Sequence, residues 1–492
     1  MLVQSTRSDY KTDDLHAVLE GLAPDGGLFV EAKLGERPFD WEHCLALSPL
    51  GMAEAILRYL LPGFSHMGEL VQKAYAGKFE TEELTPLVQV GQDDVLELFR
   101  GPTSAFKDVA LSLLPRLISA ARRQLEQTGE TVILTATSGD TGKAALEGFH
   151  DVEGTRIFVF YPAGGVSDIQ QLQMSTQPGK NVCVCAVRGN FDDCQTRVKQ
   201  AFAALRQNEA LGARGFAFSS ANSINIGRLA PQVTYYFTAY ARLLEQGRIT
   251  LGEQVDFTVP TGNFGDILAG WMAKRLGLPV GRLICASNAN RVLTDFFETG
   301  VYDRRRDFYR TDSPSMDILV SSNLERMLFY VSDGDTALVR RCMEELGEKG
   351  VYRFPEALMQ KLRESFAAGC CTEEETRETI GRIWRERHYL CDPHTAVAFR
   401  VAERFRRSSP MAVLSTASPY KFPAAVLSAL GEEPEGDAFL QIKRLEALSG
   451  VPAPKGLRSL QGKPVRFRDE IDPEELTDYV TNKLLEDWHE AE

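Results

Sequence analysis

The sequence predicts an α/β protein built on open, mostly parallel sheet. Three observations predict it. From about residue 90 onward, short strand-like apolar runs alternate with stretches of helical periodicity. One of these runs, 131–137, reads as a buried strand. Two of the strands run straight into loops of Gly, Ser, Thr and Asn that lead into a helix, at 138–143 and at 262–266. In such sheets ligands bind just beyond the carboxyl ends of the strands, so those loops are where chemistry is expected.

Residues 1–90 are expected to form a mainly helical domain, with helices at 13–22, 48–59 and 67–74. Pro24-Asp25-Gly26-Gly27 is a turn, and Leu28-Phe29-Val30 leaves it extended. Residues 91–230 are expected to form a smaller α/β unit carrying Lys107. Its strands are placed at 95–99, 131–137, 156–161 and 182–187, with helices at 144–149 and 191–206. A larger α/β unit is expected over 231–492. It has strands at 255–260, 283–286 and 411–417, a helix at 267–276 and a closing amphipathic helix at 473–488. The charged stretch 324–390 reads as a helical insertion.

A chain of 492 residues suggests two to three domains, and 43% apolar with 25% charged residues is the composition of an ordinary soluble protein. A net charge of −13 argues against a nucleic-acid partner. No run is long and apolar enough to span a membrane, and the start lacks the apolar core of a signal peptide. The nine cysteines show no CxxC spacing, and the seven histidines form no HExxH. No metal is expected, and the thiols read as reduced in a cytoplasmic protein.

Four stretches carry candidate chemistry. Lys107 follows the turn Gly101-Pro102 and precedes a helical face of Val109, Leu113, Leu117 and Ala121. At a helix start, unpaired N–H groups and the positive dipole end lower an amine's pKa, which Schiff-base chemistry needs. Taken alone it reads better as a solvated surface lysine at a helix start. Gly262-Asn263-Phe264-Gly265-Asp266 sits between strand and helix, where two glycines let backbone N–H groups approach a phosphate. Ser138-Gly139-Asp140-Thr141-Gly142-Lys143 ends in a Walker-like Gly-Lys, but Thr137 stands where that motif wants glycine. Its hydroxyls and N–H groups suit a carboxylate or phosphate, and Asp140 is the oddity, because a carboxylate repels an anion unless it bonds a donor or cation. Ser219, Asn222, Asn225 and Arg228 gather hydroxyl, amides and a guanidinium able to fork onto an anion. Asp392, His394 and Thr395 read equally as a helix cap.

Together the stretches resemble the threonine synthase family. The resemblance rests on Gly101-Pro102-Thr103-Ser104-Ala105-Phe106-Lys107-Asp108, Thr137-Ser138-Gly139-Asp140-Thr141-Gly142 and Asn222-Ser223-Ile224-Asn225 with Arg228. It also rests on the loop from Gly262 to Asp266, on Asp392-Pro393-His394-Thr395-Ala396, and on Ser5-Thr6-Arg7 with Ala23-Pro24-Asp25-Gly26-Gly27-Leu28. It runs in order from residue 3 to about 425 and looks like the family's longer subgroup. It implies the tryptophan-synthase-like fold of type II, with two open, mostly parallel sheets, and pyridoxal 5'-phosphate as cofactor. It implies Lys107 as the Schiff-base lysine, and Gly262, Asn263, Phe264, Gly265 and Asp266 around the cofactor phosphate. Thr416 would face the pyridine nitrogen and Phe106 would line the ring. Ser138, Asp140, Thr141, Lys143, Ser219, Asn222, Asn225 and Arg228 become candidates for a small phosphorylated amino acid. The implied reaction turns O-phospho-L-homoserine and water into L-threonine and phosphate, in a monomer or homodimer.

The chain departs from the family pattern twice. Ser418-Pro419-Tyr420-Lys421-Phe422 stands where His-Pro-Ala-Lys-Phe is expected, and Lys143 stands where small residues follow Asp-Thr-Gly. Both keep open an alternative: a related phospho-lyase or dehydratase whose product is a 2-oxo acid.

Overall fold

The computed structural model describes residues 2–189 and 191–486. Two sheets carry the fold. The larger has six strands in the order Phe366–Cys370, Val280–Ser287, Val255–Pro260, Met411–Ser415, Asp93–Glu97 and Leu87–Val90. All neighbours run parallel except the last pair. The smaller has five parallel strands in the order Glu470–Ile471, Val182–Val187, Thr155–Pro162, Glu130–Ala136 and Phe216–Ser219. Val255–Pro260, Met411–Ser415 and Val182–Val187 are buried at every position, as strands covered by helices on both faces must be.

Parallel strands point their carboxyl ends the same way, so each sheet gathers its strand-end loops on one edge. On the larger sheet that edge carries the Lys107 loop, the 262–266 loop and Thr416. On the smaller it carries Ser138 to Asp140 and the stretch from Ser220 to Asn225.

The sheets do not follow the expected boundaries at 90 and 230. The strand before Lys107, expected in the smaller unit, pairs with Met411–Ser415 in the larger sheet, Asp94 opposite Ala412 and Glu97 opposite Ser415. A short apolar run does not name its partner strand; that choice is made by chain path. Glu470–Ile471 crosses the other way, into the smaller sheet, and helix Leu476–Leu485 packs there beside Phe191–Arg206. Trp488, in the expected closing helix, lies outside the described residues.

The face through Val109 and Ala121 is two helices, Lys107–Leu111 and Leu114–Gln124, because Pro115 suits a first turn and not a helix interior. The 324–390 stretch holds the expected helices Leu324–Val331, Thr336–Lys349, Glu356–Ser365 and Glu373–Arg387. It also supplies the edge strand Phe366–Cys370, whose Ala-Ala-Gly centre carries little strand propensity. Residues before 90 form helices Asp14–Glu20, Trp41–Leu45, Pro49–Leu60 and Met67–Tyr75, with a three-stranded antiparallel sheet of Leu2–Ser5, Lys11–Asp13 and Phe29–Val30. This region is docked. Arg7 forks onto Glu325 at 2.8 and 2.7 Å, and Arg326 Nε donates to the Phe29 carbonyl at 2.9 Å.

Candidate active site

Lys107 opens its helix. The loop before it is stitched to the exit of Met411–Ser415: Phe106 N–H donates to the Thr416 carbonyl at 2.8 Å, and Ser418 N–H donates to the Ser104 carbonyl at 3.1 Å. Ser104 reaches this turn with a φ of 61°. The Lys107 side chain is 12% exposed. Its Nζ lies 3.2 Å from Ser315 Oγ, 3.9 Å from Asp140 Oδ2 and 5.3 Å from the Phe106 ring centre. Burial pulls the ammonium down to about 8; Asp140 opposes this, while Lys421 and Arg228 add to it. Burial therefore leads where the sequence pointed to the helix end.

Asp140 joins the two sheet edges. It opens helix Asp140–Phe149, so the predicted loop is largely a helix start. Thr137 Oγ1 accepts from the N–H groups of Gly139 and Gly142 at 2.9 and 2.8 Å. Gly139 sits at a φ of 133° against the Gln170 side chain, which no other residue tolerates well. Lys421 Nζ is 2.6 Å from Asp140 Oδ1, and Gln170 Nε2 donates to the same oxygen at 3.0 Å. Burial alone would raise this carboxyl, but Lys421 and Lys107 hold it well below the usual range. Asp140 is thus a carboxylate that holds cations. It does not fit the substrate-anion role expected of it, because a like charge would be repelled. Lys143 has a different use as well: its amine bonds Glu147 Oε2 at 2.9 Å and Gln177 Oε1, which spends its charge inside the packing. Ser138 and Thr141 are half-buried, and neither hydroxyl has a partner among the described residues.

The 262–266 loop has the makings of a phosphate cradle. Phe264 takes a φ of 64°, and helix Gly265–Arg275 begins without a side-chain cap. Among the described residues, nothing accepts from the N–H groups of Gly262, Asn263, Phe264 and Gly265. The carbonyls are tied up instead: Ser321 Oγ donates to Gly262 O at 2.8 Å, and Asn323 N–H to Asn263 O at 3.0 Å. A Cβ on Gly262 would stand 2.7 Å from the Ser315 carbonyl oxygen. The Phe264 ring is fully buried between Phe297 and Phe366, so only its backbone serves the loop. Burial pushes Asp266 up to about 7, against a hydrogen bond from Ile267 N–H, so its charge repels a phosphate less than an ordinary carboxylate. Thr416 is buried, and its hydroxyl has no partner among the described residues.

The Ser219–Arg228 stretch divides in two. Asn225 is structural: its Oδ1 caps helix Ile226–Leu229 through Gly227 N–H at 2.8 Å, and its Nδ2 donates to the Val18 carbonyl at 2.9 Å. That spends both ends of the amide, against the substrate role expected of it. Ser219 Oγ is buried and unpartnered, and the Asn222 amide has no partner among the described residues. Arg228 is 4% exposed, donates one bond to the Ala221 carbonyl at 2.9 Å, and buries its Nε without a partner. No carboxylate pairs with it among the described residues, and burial lowers it to about 10. A buried cation without a counter-ion is costly and calls for an anionic ligand.

Ser315, Gln170 and Lys421 escaped the sequence reading. Ser315 lies in Ser313-Pro314-Ser315-Met316-Asp317, which carries no recognisable motif or metal spacing. Its N–H donates to His394 Nε2 at 3.1 Å, and His394 Nδ1 faces Asp392 Oδ2. The cap reading of Asp392 holds, since it accepts from Thr395 N–H at 3.1 Å, and the same carboxylate also orients the imidazole. Lys421 stood inside a stretch read only as a departure. The departing Tyr420 points elsewhere, its hydroxyl bonding the Val451 carbonyl.

These residues fit pyridoxal phosphate: a buried lysine brought down to about 8, uncapped N–H groups behind a glycine cradle, and a Thr416 hydroxyl with no partner among the described residues. No His, Cys, Asp and Glu cluster able to hold a metal, and no helix long and apolar enough to cross a membrane, occurs among the described residues. A family model described as pyridoxal-phosphate dependent enzyme matches residues 84–416, and one described as threonine synthase, C-terminal, matches 395–480. The chain is 41% identical over 431 residues to threonine synthase-like 1 of Pongo abelii, covering 84% of this chain and 57% of that protein, less than two thirds of its length. It is 39% identical over 434 residues to threonine synthase of Pseudomonas aeruginosa, covering 86% and 89%. The crystal structure of pyridoxal-phosphate-bound threonine synthase from Brucella melitensis matches with a TM-score of 0.86 at 38% identity, over 98% of this chain and 99% of that one. The chain belongs to the threonine synthase family of pyridoxal-phosphate-dependent enzymes.

Proposed function

We propose that the chain converts O-phospho-L-homoserine and water to L-threonine and phosphate. The observation that carries this reading is Arg228, a buried guanidinium beside Lys107 with no counter-ion among the described residues. An anionic amino acid supplies one.

When bound, pyridoxal phosphate supplies an electron sink next to the substrate's amino group. The N–H groups of the 262–266 loop hold its phosphate, and Thr416 offers its ring a neutral hydroxyl. Arg228, Ser219 and Asn222, with Ser138 and Thr141 from the neighbouring strand end of the same sheet edge, bind the substrate's carboxylate and phosphate. Lys107, its ammonium brought down to about 8 by burial, takes the proton at Cα and moves protons at Cβ. Ser315 fixes the direction of that amine. The Cγ–O bond breaks and phosphate leaves; a proton is added at Cγ, the hydroxide of water at Cβ, and a proton is returned to Cα.

The test is to supply O-phospho-L-homoserine and identify the organic product. Threonine with equimolar phosphate is expected, and Lys107→Ala abolishes both. Dominant 2-oxobutanoate sinks this reading and selects the phospho-lyase.

A further inference from the structure

Asp140 is shared by two lysines. Lys421 Nζ, fully buried, lies 2.6 Å from Oδ1, and Lys107 Nζ lies 3.9 Å from Oδ2. Ser315 Oγ stands between, 3.2 Å from Lys107 Nζ and 3.5 Å from Asp140 Oδ2. Lys421 also donates to the Thr103 carbonyl at 3.1 Å, inside the loop that carries Lys107. A lysine so buried keeps its charge only when paired, and among the described residues Asp140 is its one carboxylate partner at ion-pair distance. The remaining charged groups in range are Arg228 and Asp266, facing Lys107, and Asp108, facing Lys421. The mechanism above gives Lys421 no part.

We propose that Lys421 is a positioning residue: it takes Asp140 as its own counter-ion and so leaves the Lys107 amine without a full partner, free to act as a base. The inference rests on Lys107 being the cofactor lysine. Without Lys421, the Asp140 carboxylate has Lys107 as its nearest cation and holds the proton there.

The test reads Lys107 itself, without turnover. The full-length chain is freed of cofactor with hydroxylamine, and an amine-selective acylating reagent labels Lys107 across a pH series, read by peptide mass spectrometry. Wild-type labelling is expected to be half-maximal near pH 8. In Lys421→Met the midpoint rises by about one unit, so labelling at pH 7 slows about tenfold. Lys421→Arg restores it. The double variant Asp140→Asn/Lys421→Met removes both charges and returns the midpoint to the wild-type value or below, although it carries two lesions. An unmoved midpoint in Lys421→Met, or a double variant as slow as the single, overturns the proposal. Should Lys421→Met fail to fold, the neutral double variant decides alone: a midpoint above wild type overturns it. Borohydride trapping of cofactor in the wild-type holoenzyme tests the underlying reading separately. Attachment at a residue other than Lys107 defeats that reading whatever the labelling shows.

Discussion

Ser315 Oγ lies 3.2 Å from Lys107 Nζ, although 208 residues separate them in the chain. The contact is backed from behind, because Ser315 N–H donates to His394 Nε2. Ser315→Ala is expected to keep the fold and lower turnover about tenfold, the worth of one hydrogen bond to an amine. Steady-state rates with unchanged cofactor content check it. His394→Leu strands the Ser315 N–H in the interior and takes from Asp392 Oδ2 its ring partner, leaving it the backbone N–H of residue 394, and urea unfolding should show a loss of about 1–3 kcal/mol.

Gly262→Ala places a methyl 2.7 Å from the Ser315 carbonyl oxygen, a backbone atom that cannot swing aside. The loop and the Ser315 turn must part by a few tenths of an ångström. Cofactor affinity is expected to fall about tenfold or more, measured by equilibrium titration with pyridoxal phosphate, while far-UV circular dichroism stays unchanged. Wild-type affinity in this variant removes the loop from the cofactor site.

Arg228→Met exchanges an uncompensated buried cation for an apolar side chain of similar length. The ligand-free protein is expected to gain about 1–3 kcal/mol of stability, while KM for the phosphorylated substrate rises about a hundredfold. Loss of stability together with an unchanged KM means that Arg228 holds structure and not substrate.

Asp266 supplies a pH signature. Its folded value, about 7, lies above the ordinary 3.8 because burial penalises the charge. Between those values the folded chain binds the proton more tightly than the unfolded one. Its contribution to stability is present below about pH 4 and is lost as pH rises through about 7. Asp266→Asn removes this loss and keeps the acceptor for Ile267 N–H. Its stability advantage over wild type should grow by about 2 kcal/mol between pH 5 and pH 8 in urea titrations. A pH-independent difference removes the buried-carboxyl account.

The α/β alternation, the strands Val182–Val187 and Val255–Pro260 and the helix Phe191–Arg206 were legible in the sequence with their observed bounds. Apolar runs and turn residues act through neighbours in the chain, so a local window contains what sets them. Lys107 and the 262–266 loop were legible for the same reason: each is a contiguous motif. What Lys107 touches was not. Its strand joins the larger sheet through Met411–Ser415, its amine meets Ser315, and Asp140 binds Lys421 from 281 positions further along. Asn225 reads as a ligand in the sequence, but its amide is occupied by the Val18 carbonyl. Sheet partners and buried ion pairs depend on the path of the whole chain, because only burial makes a distant charge matter. The sequence alone determined the fold class and which residues could react; the tertiary structure decided which of them face one another, and so which charges are paired and which are left for a ligand.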